Sequence, residues 1–185
     1  MTPTDAELVA AVRRGDAAAA DALVRRHYRA GFATALAVLG ESMDAEDACQ
    51  DAFVRALDRI EDCRTPERFV YWLISIVRNH ALNLHARRRV RGGPAVEDVD
   101  PPARGDASGR AETGELRARL EAALGRLTVV QREVILLKHL EGWEHRQIAE
   151  ALGISEGMSR QHAFEGRRVL RQRLGPGALE DHLDA

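Results

Sequence analysis

Gly153 constrains this chain more than any other residue. Before it, Ile148 and Ala149 lie on the apolar face of a short helix that begins just after Trp143. A glycine at this point ends such a helix, because it adopts the φ > 0 backbone that other residues avoid. Ile154 then plugs the turn, and Ser155 is a good N-cap for a second helix. Ala149, four residues before the glycine, is small enough for the two helices to touch. The second helix carries Arg160, Arg167, Arg168, Arg171 and Arg173 against two carboxylates, Glu156 and Glu165. A helix, a tight glycine turn and an Arg-rich helix have the layout of a helix-turn-helix, whose second helix enters a DNA major groove. The same spacing also fits a helical hairpin with a solvated basic face. The arginine content of the second helix favours nucleic acid.

The rest of the chain reads as helices too. Thr4 and Glu7 form a capping box before Leu8, Val9 and Val12, and Asp16 can cap the next helix after Gly15. That helix holds Leu23, Val24, Tyr28, Ala35, Leu36 and Leu39 at helical spacing, with Gly31 either weakening it or permitting close packing. A third helix is predicted from Asp44. Its apolar stripe is Ala48, Cys49, Ala52, Phe53, Ala56, Leu57 and Ile60, and Glu46, Asp47, Gln50, Asp51 and Asp58 lie mostly off the stripe. That acidic face reads either as a solvated surface or as a docking face for a basic partner. Pro66 can open the fourth helix. Phe69, Trp72, Leu73, Ile76, Val77, His80, Ala81 and Leu84 follow in i, i+3, i+4 order, the strongest amphipathic pattern in the chain. Its other face offers Arg78, Asn79 and Asn83, then Arg87, Arg88, Arg89 and Arg91, with no acidic residue between Arg78 and Arg91. Cations suit a helix C-terminus. Four arginines within five residues exceed that need and predict a phosphate-binding surface.

Composition changes after this helix. Residues 92–113 are rich in Pro, Gly and acidic side chains, which predicts a flexible acidic linker. Helical patterning resumes over 114–175, with Thr128 and Gln131 forming another capping box before Val134, Ile135, Leu137 and Leu140. The tail, 176–185, is expected to fray. The predicted fold class is therefore all-α, with two small helical domains, 1–91 and 114–175, joined by the linker. Net charge is -2 and Lys138 is the only lysine, so the positive charge lies in local arginine patches on a mildly acidic chain. A chain that binds DNA tightly alone is usually basic overall, so DNA binding here is expected to need a partner. The two cysteines, Cys49 and Cys63, read as buried apolar residues. No secretory signal or long apolar run is seen, so the expected location is cytoplasmic, without membrane insertion. No zinc spacing, nucleophile–base set or phosphate loop occurs, so no metal, no cofactor, no small-molecule substrate and no enzyme activity are expected.

Taken together, the chain resembles a bacterial sigma factor of the extracytoplasmic-function (ECF) group, within the sigma-70 family, from Leu8 to Leu174. DAEDACQDAFVRAL (44–57) is similar to the segment that docks on core RNA polymerase. FVYWLISIVRNHALNLHARRR (69–89) is similar to the segment that melts the promoter and reads the minus-ten element, and 127–174 to the domain that reads the minus-thirty-five element. The resemblance implies polymerase binding by Asp47, Gln50, Asp51 and Phe53. It implies minus-ten contacts by Arg78, Asn79, Asn83, Arg87 and Arg88, with a melted base held in a pocket. It implies minus-thirty-five contacts by Arg160, Gln161, His162, Phe164, Arg167 and Arg168. Expected partners are core RNA polymerase, promoter DNA and an anti-sigma factor. Departures from the family pattern are Met158-Ser159 where Thr-Val is usual, Ala163 for Leu, Glu165 for a basic residue and Glu144 for a Ser or Thr cap. Ser159 is expected to weaken packing between the two helices. Glu165 could repel phosphate or accept from a cytosine amino group. A stand-alone helix-turn-helix regulator with a helical sensing or dimerising domain is the alternative, and it would bind duplex DNA tightly without polymerase.

Overall fold

The computed structural model describes residues 2–90, apart from the side chain of Arg89, and residues 119–175. The predicted linker and tail lie outside the described residues, as does most of the end of the arginine run. All regular structure among the described residues is helical. α1 (Asp5–Arg13) starts at the Thr4 capping box, and α2 (Ala17–Leu39) starts where Asp16 accepts from the Ala18 and Ala19 backbone N–H groups. α3 spans Ser42–Asp58, two residues earlier than the sequence predicts. Asp44 lies within its first turn and pairs with Arg88 on the next helix. Two short 3-10 turns, Ile60–Asp62 and Pro66–Arg68, lead into α4 (Phe69–Val90). The second group comprises α5 (described over 119–125), α6 (Val129–His139), α7 (His145–Leu152) and α8 (Glu156–Leu174).

Burial explains how the helices assemble. α1, α3 and α4 pack around α2 through Leu23, Val38, Cys49, Phe53, Phe69, Leu73 and Val77. Burying one such large side chain contributes roughly 1.5–3 kcal/mol. Gly31 is the close-approach point, because a Cβ placed there would lie 3.0 Å from the Phe53 ring and 3.2 Å from the Cys49 sulfur. The second group closes around α6, where every side chain from Arg132 to Leu137 is buried. A helix covered on all sides must be packed on all sides. Here α7 and α8 cover part of α6, and α2 covers another part. The contact with α2 is lined by small residues, Ala33 and Ala37, against Leu136. A second apolar cluster also spans the two groups, joining Ala30 and Ile74 to Val134, Leu137, Ile148 and Ala151. Tyr71 on α4 meets Trp143 edge-on, with ring centroids 6.0 Å apart.

Candidate nucleic-acid interface

The geometry at Gly153 matches the sequence expectation. Its φ of 68° is left-handed, its backbone N–H bonds to the Ala149 carbonyl, and the Ser155 hydroxyl accepts from the Met158 backbone N–H at 3.1 Å. α7 then packs across the N-terminal half of α8. Ser159 sits fully buried between them. Its hydroxyl lies 2.9 Å from Nδ1 of His145, so a polar bond fills the place where the sequence suggested lost apolar packing. Burial, followed by the nearby Lys138, Arg160 and Arg167, pushes the His145 pKa below its ordinary value. A neutral imidazole matches the apolar junction.

Opposite α7, α8 leaves a face open. Arg160, Gln161, Phe164 and Arg168 are exposed, with Phe164 at 64%. Arg160 pairs with Glu156 one turn back. Phe164, Arg167, Arg168, Arg171 and Gln172 line a shallow groove along the helix. His162 is half-buried and its Nδ1 is buried without a partner, so it presents less of itself to a ligand than the sequence reading implies. Arg167 is also half-buried.

The first group carries two further surfaces. On α3, Asp47, Gln50 and Asp51 are exposed along one face, together with Met43 and Val54. Phe53 is not part of that face. It is 4% exposed and stacks against Tyr28 in the core, as its place on the apolar stripe predicts. On α4, Asn79, Asn83 and Arg87 are exposed, and Arg88 binds the Asp44 carboxylate. Arg78 behaves differently. Its Nε donates to Oε1 of Glu133 at 2.7 Å, and the Glu133 side chain is completely buried. Burial raises the Glu133 pKa above its ordinary value, although Arg78 and Arg132 act against that shift.

Sequence reasoning missed Glu133. The available signal was a carboxylate lying on the apolar stripe that contains Val130, Val134 and Leu137. It also missed a cavity of about 290 Å³ at the start of α4, lined by Asp62, Cys63, Arg64, Thr65, Arg68, Tyr71 and Trp72. Arg68 lies over the Tyr71 ring at 5.7 Å and also pairs with Glu150 on α7. Among the described residues no group of His, Cys, Asp and Glu could hold a metal ion, and no helix is long and apolar enough to cross a membrane. Burial pushes the Cys49 thiol up to about 12. Cys63 is buried and its thiol is also shifted upward.

Two all-helical groups, one of them built on a helix-turn-helix, define a class of protein, and comparison with known proteins identifies it. Residues 23–91 match the Sigma-70 region 2 family and residues 117–170 match Sigma-70, region 4. The ECF RNA polymerase sigma factor SigM of Mycobacterium tuberculosis is 34% identical over 172 residues, covering 93% of this chain and 85% of that protein. The RNA polymerase sigma factor CarQ of Myxococcus xanthus is 34% identical over 137 residues, covering 74% of this chain and 78% of that one. A solved structure of CnrH, in complex with the cytosolic domain of CnrY, superimposes with a TM-score of 0.65 at 27% identity. It covers 98% of this chain and 99% of that one. The sigma factor RpoE of Bartonella quintana, at 21% identity and a TM-score of 0.61, shares the fold, with 83% of this chain and 95% of that one covered. The chain belongs to the ECF RNA polymerase sigma factors of the sigma-70 family. It is a transcription-initiation factor that works with RNA polymerase on promoter DNA.

Proposed function

We propose that three surfaces divide the work of promoter-specific initiation. α3 docks core RNA polymerase through Asp47, Gln50 and Asp51, with exposed Met43 and Val54 adding apolar contact. α4 holds the opened non-template strand: Asn79 and Asn83 bond to base edges, and Arg87, Arg88 and Arg78 take phosphates. An unstacked base enters the cavity beside Arg68, Tyr71 and Trp72, where aromatic and guanidinium planes stack on any base. α8 lies in the major groove of the minus-thirty-five duplex, with Arg160, Gln161 and Phe164 towards the bases and Arg167 and Arg168 towards phosphates.

The observation that carries this reading is the bare face of α8. Its opposite side packs on α6 and α7, while Arg160, Gln161, Phe164 and Arg168 are exposed, with Arg160 and Gln161 bonded within the helix to Glu156 and Glu165. We further propose that an anti-sigma protein restrains the chain in the cytoplasm, since CnrH is solved bound to the cytosolic domain of CnrY. The two domains are proposed to span 1–91 and 114–175. Run-off transcription with core polymerase and a promoter library tests the whole reading. A defined set of promoters should fire with the native chain. Asp51→Arg should abolish both transcription and co-purification with core enzyme while its melting curve stays in place. Unchanged co-purification would remove α3 from the docking role. A gel shift on duplex promoter DNA alone separates this reading from a stand-alone regulator, which would bind tightly without polymerase.

A further inference from the structure

Glu165 stands one turn beyond Gln161 on α8 and receives two side-chain amides. Gln161 Nε2 donates to its Oε1 at 3.0 Å, and Gln131 Nε2, from α6, donates to its Oε2 at 3.1 Å. The Gln131 amide cannot be the other way round. Its Oε1 accepts the Thr128 backbone N–H at 3.1 Å, and a backbone N–H can only donate. Those two amides hold the Glu165 carboxyl below its ordinary range, so at neutral pH it is ionised and accepts only. An amide that meets a pure acceptor must turn its NH2 towards it. Gln161 therefore directs Oε1 away from Glu165, and its side chain is exposed on the open face of the helix.

We propose that Glu165 is a positioning residue that presets the amide of Gln161, so that α8 selects a base carrying a major-groove amino group at one promoter position. The inference rests on α8 being the helix that enters the major groove. A free glutamine reverses its donor and acceptor ends by a half-turn of its last torsion, and so it accepts several bases. Adenine N6 and cytosine N4 donate in the major groove, whereas guanine O6 and thymine O4 accept. An outward Oε1 pairs with the first two and faces the lone pairs of the others. Glu165 is also the position where the sequence departs from the family's usual basic residue. Both of its oxygens are already engaged within the protein, so its influence on sequence passes through Gln161 and not through its own contact with cytosine.

The test selects promoters from a library randomised over the minus-thirty-five element, using holoenzyme made with the native chain, Gln161→Ala, Glu165→Ala or Glu165→Gln. The native holoenzyme should favour adenine or cytosine over guanine and thymine by roughly 5-fold or more at one position, and Gln161→Ala should lose that preference. Glu165→Ala should reduce it to under about 2-fold at that same position and leave the preferences at other positions in place. Glu165→Gln, whose carbonyl still accepts from Gln161, should retain part of it. Both Glu165 variants remove the same negative charge, so a gain in overall DNA affinity is common to them and base preference alone discriminates. If Glu165→Ala keeps the native preference, or loses preference equally at all positions, the positioning role is overturned and α8 still stands as the reading helix. If Gln161→Ala changes no position at all, the placement of Gln161 against a base fails, and this inference fails with it.

Discussion

The pair formed by Arg78 and Glu133 gives an asymmetric prediction. Glu133 is fully buried, Arg78 is 27% exposed, and Oε2 of the carboxylate has no partner. Removing Arg78 strands a charge in the interior, whereas neutralising Glu133 leaves a guanidinium that can still reach water. Arg78→Ala should therefore cost about 3–5 kcal/mol at pH 7.5. Glu133→Gln keeps an acceptor for Nε and should change stability by less than about 1 kcal/mol. The sign with pH follows from the raised pKa of Glu133. A carboxyl whose folded pKa lies above its unfolded value stabilises most when protonated, and this contribution is lost as pH rises through the folded pKa. Losing Arg78 raises that pKa further, because the larger of the two arginine influences that opposed the shift is gone. The deficit of Arg78→Ala should therefore shrink as pH falls towards the ordinary carboxylate value of 4.5. Urea titrations at several pH values, followed by circular dichroism, measure both quantities. Equal losses below about 0.5 kcal/mol for both variants, or a pH-independent deficit for Arg78→Ala, would show that Glu133 is solvated and that α4 does not lie on α6 in solution.

Three other outcomes are expected. Gly31→Val should lower stability by about 1–3 kcal/mol in chemical denaturation, because its side chain must displace the Phe53 ring and the Cys49 sulfur; a stabilised variant would mean the two helices are not in close contact. The depressed pKa of His145 means that its contribution is present above the ordinary value of 6.5 and is lost as pH falls through the folded pKa. Thermal melting should thus drop between pH 7.5 and 5.5, and His145→Phe should flatten that dependence. Arg160→Ala should cost roughly 1–3 kcal/mol in discrimination at one promoter base, and an equal loss on all sequences would make it a phosphate contact.

What the sequence made legible was mostly local. Both capping boxes, the Asp16 and Ser155 caps and the turn at Gly153 depend on residues within four positions of each other, so the letters alone locate them. The start of α3 was misplaced because Glu41 caps it without a side-chain bond and so leaves no signature. Phe53 lies in the core, as its place on the apolar stripe of α3 predicts. The partner of Arg78 lies 55 residues away, and no local pattern encodes it. The cavity beside Tyr71 and Trp72 was equally hidden, since it forms where the 3-10 turns fold back on the first turn of α4. The Gln161–Glu165 bond follows a readable i, i+4 spacing, but its tie to Gln131 on α6 depends on how α8 packs.

The internal pairing of the arginines also explains how an acidic chain can act on DNA. Arg88 is matched by Asp44, Arg160 by Glu156, Arg68 by Glu150, Arg29 by Glu141 and Arg78 by Glu133. A phosphate contact made by one of these residues therefore shares or replaces a carboxylate partner instead of meeting an unpaired guanidinium. For Arg88 and Arg160, which are more than half exposed, the exchange is cheap, because surface pairs are worth about 0–1 kcal/mol. For Arg78 it is not, because the carboxylate it would leave is completely buried. The Arg78 Nε is committed to Glu133, so a phosphate contact that keeps this bond has to use the Nη groups. Arginines that are already paired add little net affinity for bare DNA, which fits a net charge of -2 on a chain that works with RNA polymerase.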